Sequence, residues 1–287
     1  MSRLVEVVEG RGEVPLITVS NHASCLDDPV LFGLLPWRCG LGPRMKMRWS
    51  VAAQEILFTS KLKTWFFAKG QTIPIVRGDG IFQKGVEHAL ECLAQNRWVH
   101  VFSEGRVNQL RTLLPFRWGV GRLVMESPVP PIVVPFWHSG MHRVLPEPEC
   151  PQDPPMSEGE TPHPQKDTPA PGVGPVQPLP VDLEAPIELQ SSNPLPPLPP
   201  KLQPPLTRSI RLFQMITVNY GAPIHTAPLL ELWKSQGLDE VAVRVKITEH
   251  IRNAVLETQK EALAYMEAQT LLQAEEKLRK MTKKKKK

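Results

Sequence analysis

Proline divides this sequence before any other feature does. Of its 32 prolines, twenty fall between Pro146 and Pro205. Proline fixes φ and lacks a backbone N–H, so a stretch this dense in it joins neither helix nor sheet for long. The distribution predicts a disordered Pro-rich insertion over 146–206, inside one domain formed by 1–145 and 207–280. Within the insertion, Pro196-Pro-Leu-Pro-Pro-Lys201 has the basic-flanked form that an SH3-type partner binds, and it equally suits a plain linker.

Outside the insertion, short β-prone runs alternate with helical patterns. Pro15–Ser20, Thr72–Val76, Trp98–Phe102, Ile132–Trp137 and, after the insertion, Leu212–Tyr220 read as strands. Between them Asp28–Leu35 and Gly119–Glu126 read as helices, and Val86, Ala89, Leu90 and Leu93 follow the i, i+3, i+4, i+7 rule. Ile247, Ile251 and Val255 mark a long helix within 239–280. Alternation of this kind predicts an α/β fold, a mostly parallel central sheet flanked by helices.

The formal net charge of +5 equals the contribution of Lys283–Lys287, which leaves the body near neutral. A nucleic-acid binder spreads its cations over a face, so no nucleic acid is expected. The polybasic tail, 281–287, suits an anionic membrane surface or a solvated run. Cys25, Cys39, Cys92 and Cys150 form no C-x-x-C pair, so reduced thiols are expected. No apolar run is long enough to span a bilayer. Any membrane contact is then interfacial, and Trp65, Phe66 and Phe67, among Lys61, Lys63 and Lys69, have the composition for it. The same aromatics also suit ordinary core packing.

Asn21-His22-Ala-Ser-Cys-Leu-Asp27 puts a histidine and an aspartate five residues apart. On a helix they would face about 140° apart, but a strand-to-helix turn lets them meet. Asp27 then holds one imidazole nitrogen while the other takes a proton from a hydroxyl, as in a serine-hydrolase triad without its serine. A G-x-S-x-G elbow is absent, so the acceptor's own hydroxyl would be the nucleophile. Two more groups follow strand ends: Arg77-Gly78, and Glu104-Gly105-Arg106. Ligands bind at that edge in α/β folds, where Arg77 and Arg106 suit a phosphate and Gly105 a close backbone approach. His138 and His142 lack a third ligand and a water-activating acid, so no metal is expected.

His22 with Asp27, Arg77, Phe102–Gly105 and Pro131–Pro135 resemble the four ordered motifs of the glycerolipid acyltransferase superfamily. More narrowly, Leu16–His22, Asp27-Asp28-Pro29, Phe82–Gly85, Trp98–His100, Phe116–Leu123 and Pro135–His138 resemble one transacylase branch of it. That branch implies acyl transfer between phospholipid and lysophospholipid substrates without coenzyme A or any other cofactor, notably onto monolysocardiolipin. It also implies peripheral attachment to mitochondrial membranes, the inner one facing the intermembrane space and the outer one. His22 becomes the general base and Asp27 its orienting partner. Glu104, Gly105 and Arg106 fall in the substrate site, and Arg77 becomes a headgroup-phosphate contact. Ser103 replaces the proline of the family's F-P-E-G block, no counterpart of the family's N-terminal hydrophobic anchor is expected in the residues before the first strand, and the Pro-rich insertion is foreign to its compact form. Two rival readings follow: an acyl-CoA-dependent lysophospholipid acyltransferase, and an inactive lipid-binding scaffold.

Overall fold

The computed structural model describes residues 2–36, 39, 47–110, 112–146 and 215–285, with backbone alone at position 2 and from 273 onward. Nearly all of the expected insertion, the Pro196–Lys201 motif and Cys150 lie outside the described residues.

A seven-stranded sheet organises the chain. Its strands are β1 (Leu16–Ser20), β2 (Trp49–Ala53), β3 (Thr72–Ile75), β4 (Trp98–Phe102), β5 (Ile132–Ser139), β6 (Thr217–Tyr220) and β7 (Ile224–His225). The order is β3-β2-β4-β1-β5-β6, with β7 also on β5. β1 to β5 run parallel, while β6 and β7 are antiparallel to β5. β1 lies at the centre and all five of its residues are buried, as expected of a strand covered on both faces. Pro135 fits inside β5 because it falls where the β7 pairing ends, at Val133, and the β6 pairing begins, at Phe136.

Helices α1 (Ser2–Gly10) and α2 (Asp27–Gly33) cover one face of the sheet. The other carries α5 (Lys84–Ala94), α6 (Gly119–Glu126) and α9 (Glu240–Lys285). The short helices α3 (Gln54–Leu57) and α4 (Lys61–Lys69) join β2 to β3, α7 (Met141–Val144) follows β5, and α8 (Thr226–Ser235) precedes α9. Strand alternation divides the core accordingly. Ile17, Val19, Val99 and Val133 pack with Val86, Leu123, Ile247 and Ile251. Leu16, Trp98, Val134 and Phe136 pack with Leu4, Val8, Leu31 and Phe32 on the opposite face. Gly121 lets α6 approach α9 closely, since a Cβ there would lie 2.5 Å from both the Arg244 carbonyl oxygen and Thr248 Oγ1.

The expected strands and helices are present, most with ends within a residue or two. The segment read as one strand over Leu212–Tyr220 is β6 from Thr217 to Tyr220, and residues 212–214 lie outside the described ones. Sequence reading missed α1, β2, β7 and α8, and the short α3 and α7. Among the described residues no helix is long and apolar enough to cross a membrane.

Candidate active site

Register builds the site. Ser20 is level with Phe102 on β4 and with Phe136 on β5. Two residues further on, the same offsets bring His22, Glu104 and His138 to the C-terminal edge of three adjacent strands.

Beyond β1 the chain turns tightly into α2, with the Asp27 N–H donating to the Ser24 carbonyl at 3.0 Å. The turn folds Asp27 back beneath His22. Asp27 Oδ2 accepts from the backbone N–H groups of Ala23 (2.6 Å) and Ser24 (2.9 Å), and lies 2.9 Å from His22 Nδ1. The Asp27 side chain is fully buried, whereas that of His22 is 20% exposed. A carboxylate accepts only, so neutral His22 donates from Nδ1 and carries its lone pair on Nε2. The imidazole stacks on Phe102, with ring centroids 4.1 Å apart and planes at 20°.

A second set of contacts fixes the backbone of His22. Its N–H donates to Glu104 Oε1 at 2.9 Å, and its carbonyl accepts from the Asn108 N–H at 2.6 Å. Glu104 Oε2 accepts from Asn108 Nδ2 (2.7 Å) and the Leu114 N–H (3.0 Å). Glu104 is nearly fully buried, and burial raises its pKa although all three donors favour the charged form. Gln109 Nε2 donates to the Ala23 carbonyl at 3.0 Å. The loop after β4 therefore grips the His22 turn from one side.

From the other side come Asn21 and His138. The Asn21 amide exchanges two hydrogen bonds with the His138 backbone, at 2.9 and 3.0 Å. His138 Nε2 lies 2.9 Å from the Asn21 carbonyl and 3.5 Å from Asp27 Oδ2. Burial lowers the His138 pKa, opposed by the nearby Asp27. His100, fully buried among Phe32, Phe102 and Phe136, has its pKa driven well below the usual histidine value, first by burial. It is a neutral core residue.

The other sequence candidates are spread out. Gly105 adopts φ +71°, a left-handed conformation that suits glycine. The stem of Arg117 lies against it, 3.2 Å from where a Cβ would sit. Arg106 is exposed beside Gly105. Arg77 stands apart, at the end of β3 three strand spacings (roughly 14 Å) from β1, and is ion-paired with Glu55. Asp28 pairs with Arg48 and accepts from Ser50, which ties the start of α2 to β2. No residue of α4 is buried: Leu62, Trp65 and Phe66 are 75%, 60% and 63% exposed, while Phe67 is half-buried against Phe58 and Phe66. Among the described residues no group of His, Cys, Asp and Glu is arranged to hold a metal ion.

Sequence reasoning assigned no role to Asn21 or Asn108 and weighed His138 only against a metal. Asn21 meets His138 across 117 residues and Asn108 meets the His22 carbonyl from the far side of the sheet's β1–β4 pairing, which spacing in the chain does not reveal.

Residues 5–139 match the family described as Acyltransferase. Tafazzin of Drosophila melanogaster is 47% identical over 148 residues, covering 51% of this chain and 39% of that protein. Taffazin of Dictyostelium discoideum is 47% identical over 136 residues, 46% of this chain and 47% of that one. N-acylphosphatidylethanolamine synthase of Arabidopsis thaliana is 42% identical over 149 residues, half of this chain and 51% of that one. The chain thus spans about half the length, or less, of these relatives.

Proposed function

We propose that this chain, whose residues 5–139 match the Acyltransferase family and whose sequence is similar to the tafazzins, moves fatty acyl groups between glycerophospholipids. The donor is a phospholipid and the acceptor a lysophospholipid, monolysocardiolipin among them, with no coenzyme A. The observation that carries the reading is the His22–Asp27 pair, in which a fully buried carboxylate bound by two backbone N–H groups accepts from Nδ1.

The chemistry follows from that pair. His22 Nε2 takes the proton of the lysolipid hydroxyl as its oxygen attacks the donor's ester carbonyl. The tetrahedral intermediate expels the donor's glycerol oxygen, which receives the same proton from the imidazolium. One ester bond forms, one breaks, and the base returns to its starting state. Asp27 stabilises the imidazolium through Nδ1–H. Because one ester replaces another, the exchange is close to neutral in free energy and needs no activated donor. Arg106, with Arg117 lying over Gly105, supplies positive charge next to the Glu104 loop for a headgroup phosphate.

The exposed Leu62, Trp65 and Phe66, flanked by Lys61, Lys63 and Lys69, form the face that meets an anionic bilayer. We place the protein at the surface of mitochondrial membranes on its likeness to the tafazzins.

Purified protein in liposomes holding labelled phosphatidylcholine and monolysocardiolipin tests the reading. Label entering cardiolipin without coenzyme A supports it, and transfer from acyl-CoA alone overturns the donor assignment. Phosphatidylethanolamine belongs in the same assay because of the N-acylphosphatidylethanolamine synthase relative. An amide product in place of an ester would change the acceptor from a hydroxyl to an amine.

A further inference from the structure

We propose that His138 is a second histidine on the Asp27 carboxylate, a positioning residue that fixes where Asp27 sits and so which nitrogen of His22 carries the proton. The inference rests on His22 acting as the base in acyl transfer.

Three observations lead to it. First, the ring is 1% exposed and its Nε2 has two oxygen neighbours, the Asn21 carbonyl at 2.9 Å and Asp27 Oδ2 at 3.5 Å. Both only accept, so Nε2 carries the hydrogen and the neutral ring holds its lone pair on Nδ1, which has no partner among the described residues. Second, His138 cannot drift, because its own N–H and carbonyl are both bound by the Asn21 amide one residue before His22. Third, the groups around Asp27 converge on one oxygen. Oδ2 faces His22 Nδ1, the Ala23 and Ser24 N–H groups and His138 Nε2, while buried Oδ1 has no partner among the described residues.

His138 adds a fourth neighbour to Oδ2 from the β5 side, and so fixes the place of that oxygen against His22 Nδ1. Its charge state matters as much as its place. A cation there would compete with the His22 imidazolium for Asp27; a neutral ring, its Nε2–H bonded to the Asn21 carbonyl and 3.5 Å from Asp27 Oδ2, holds Asp27 in place and leaves its charge for His22. Burial, with the positive influence of His22 and His142, keeps His138 neutral against the opposing pull of Asp27.

Two substitutions separate positioning from packing. His138→Gln places an amide N–H where Nε2 lies, and His138→Asn places one where Nδ1 lies. Both are polar and differ by one methylene, so losses of packing are comparable and thermal melts report them. The Gln variant is expected to keep kcat within about threefold, and the Asn variant to lose about 10- to 100-fold in kcat, as when an orienting partner of a catalytic group is removed. KM for both lipids stays within about twofold in each. Equal activity of two folded variants, or a loss expressed in KM, overturns the proposal. A second measurement needs neither variant. Imidazole ¹⁵N resonances of the unmodified protein are expected to report the neutral Nε2–H tautomer of His138 at about pH 7.5. An Nδ1–H tautomer or an imidazolium there overturns the proposal even if acyl transfer is confirmed. Absence of acyl transfer in the unmodified protein would instead defeat the functional reading and leave the tautomer result standing.

Discussion

Glu104→Gln separates two roles for a heavily bonded side chain at the site. Glu104 accepts three N–H donors, one on Oε1 from His22 and two on Oε2 from Asn108 and Leu114. In glutamine one oxygen becomes a donor. Turned toward Asn108 and Leu114, the new NH₂ loses two bonds; turned toward His22 it loses one, so the second orientation prevails. A hydrogen bond to a charged acceptor contributes about 1.5–3 kcal/mol, and the unpaired donor left behind adds to the loss. The variant should therefore be destabilised by about 2–3 kcal/mol in urea melts. The bond lost is the one that holds the backbone of His22. If about 2 kcal/mol of it is expressed as misplacement of the base, kcat falls roughly 30-fold, with KM for the lipids unchanged. Unchanged stability together with a raised KM would refute this reasoning. It would mean that the carboxylate binds substrate, as the motif alone suggested.

Other expectations follow from burial and exposure. His100 and His138 have depressed pKa values in the folded state, so their contribution is present above the ordinary histidine value near 6.5 and lost as pH falls below it. Urea midpoints should drop between pH 7.5 and 5 with a slope of at most about 2.7 kcal/mol per pH unit, two protons' worth, and His100→Asn should flatten it. The raised pKa of Glu104 acts oppositely, stabilising below about 4.5 and fading as pH rises through its folded value, so it only offsets the acid end. A pH-independent midpoint would contradict both histidine assignments. Changing Trp65, Phe66 and Phe67 together to serine should release a folded protein from anionic liposomes; unchanged co-sedimentation would exclude α4 as the main contact. Gly121→Ala should lower stability by about 1–3 kcal/mol, since the methyl meets the Arg244 carbonyl of α9. An unchanged melt would mean that the two helices separate freely.

The sequence made some of this architecture plain and hid the rest for physical reasons. Leu16–Ser20 is buried on both faces and reads as a strand in any window, and the His22–Asp27 spacing contains its own turn. Trp49–Ala53 escaped notice because WSVAA has neither a continuous apolar run nor strict alternation. Its place between β3 and β4 is decided by pairing. Helix α4 also misleads as a sequence, since its aromatics suit a core and yet none of its residues is buried. Arg77 follows a strand as a ligand contact would, but sheet order moves it away from His22 and Glu55 pairs with it. Glu104 was visible as part of a motif, whereas its inward orientation was not. That depends on the parallel register of β1 and β4, which places position 104 level with position 22.

The central claim is that His22, oriented by Asp27, is the base of acyl transfer. The most direct test compares unmodified protein with His22→Ala in liposomes of labelled phosphatidylcholine and monolysocardiolipin, without coenzyme A. The unmodified protein should move label into cardiolipin, and the folded, liposome-bound variant should lose activity by about 10²- to 10⁴-fold. A variant that keeps more than about a tenth of the rate, well above what loss of a general base allows, would contradict the account.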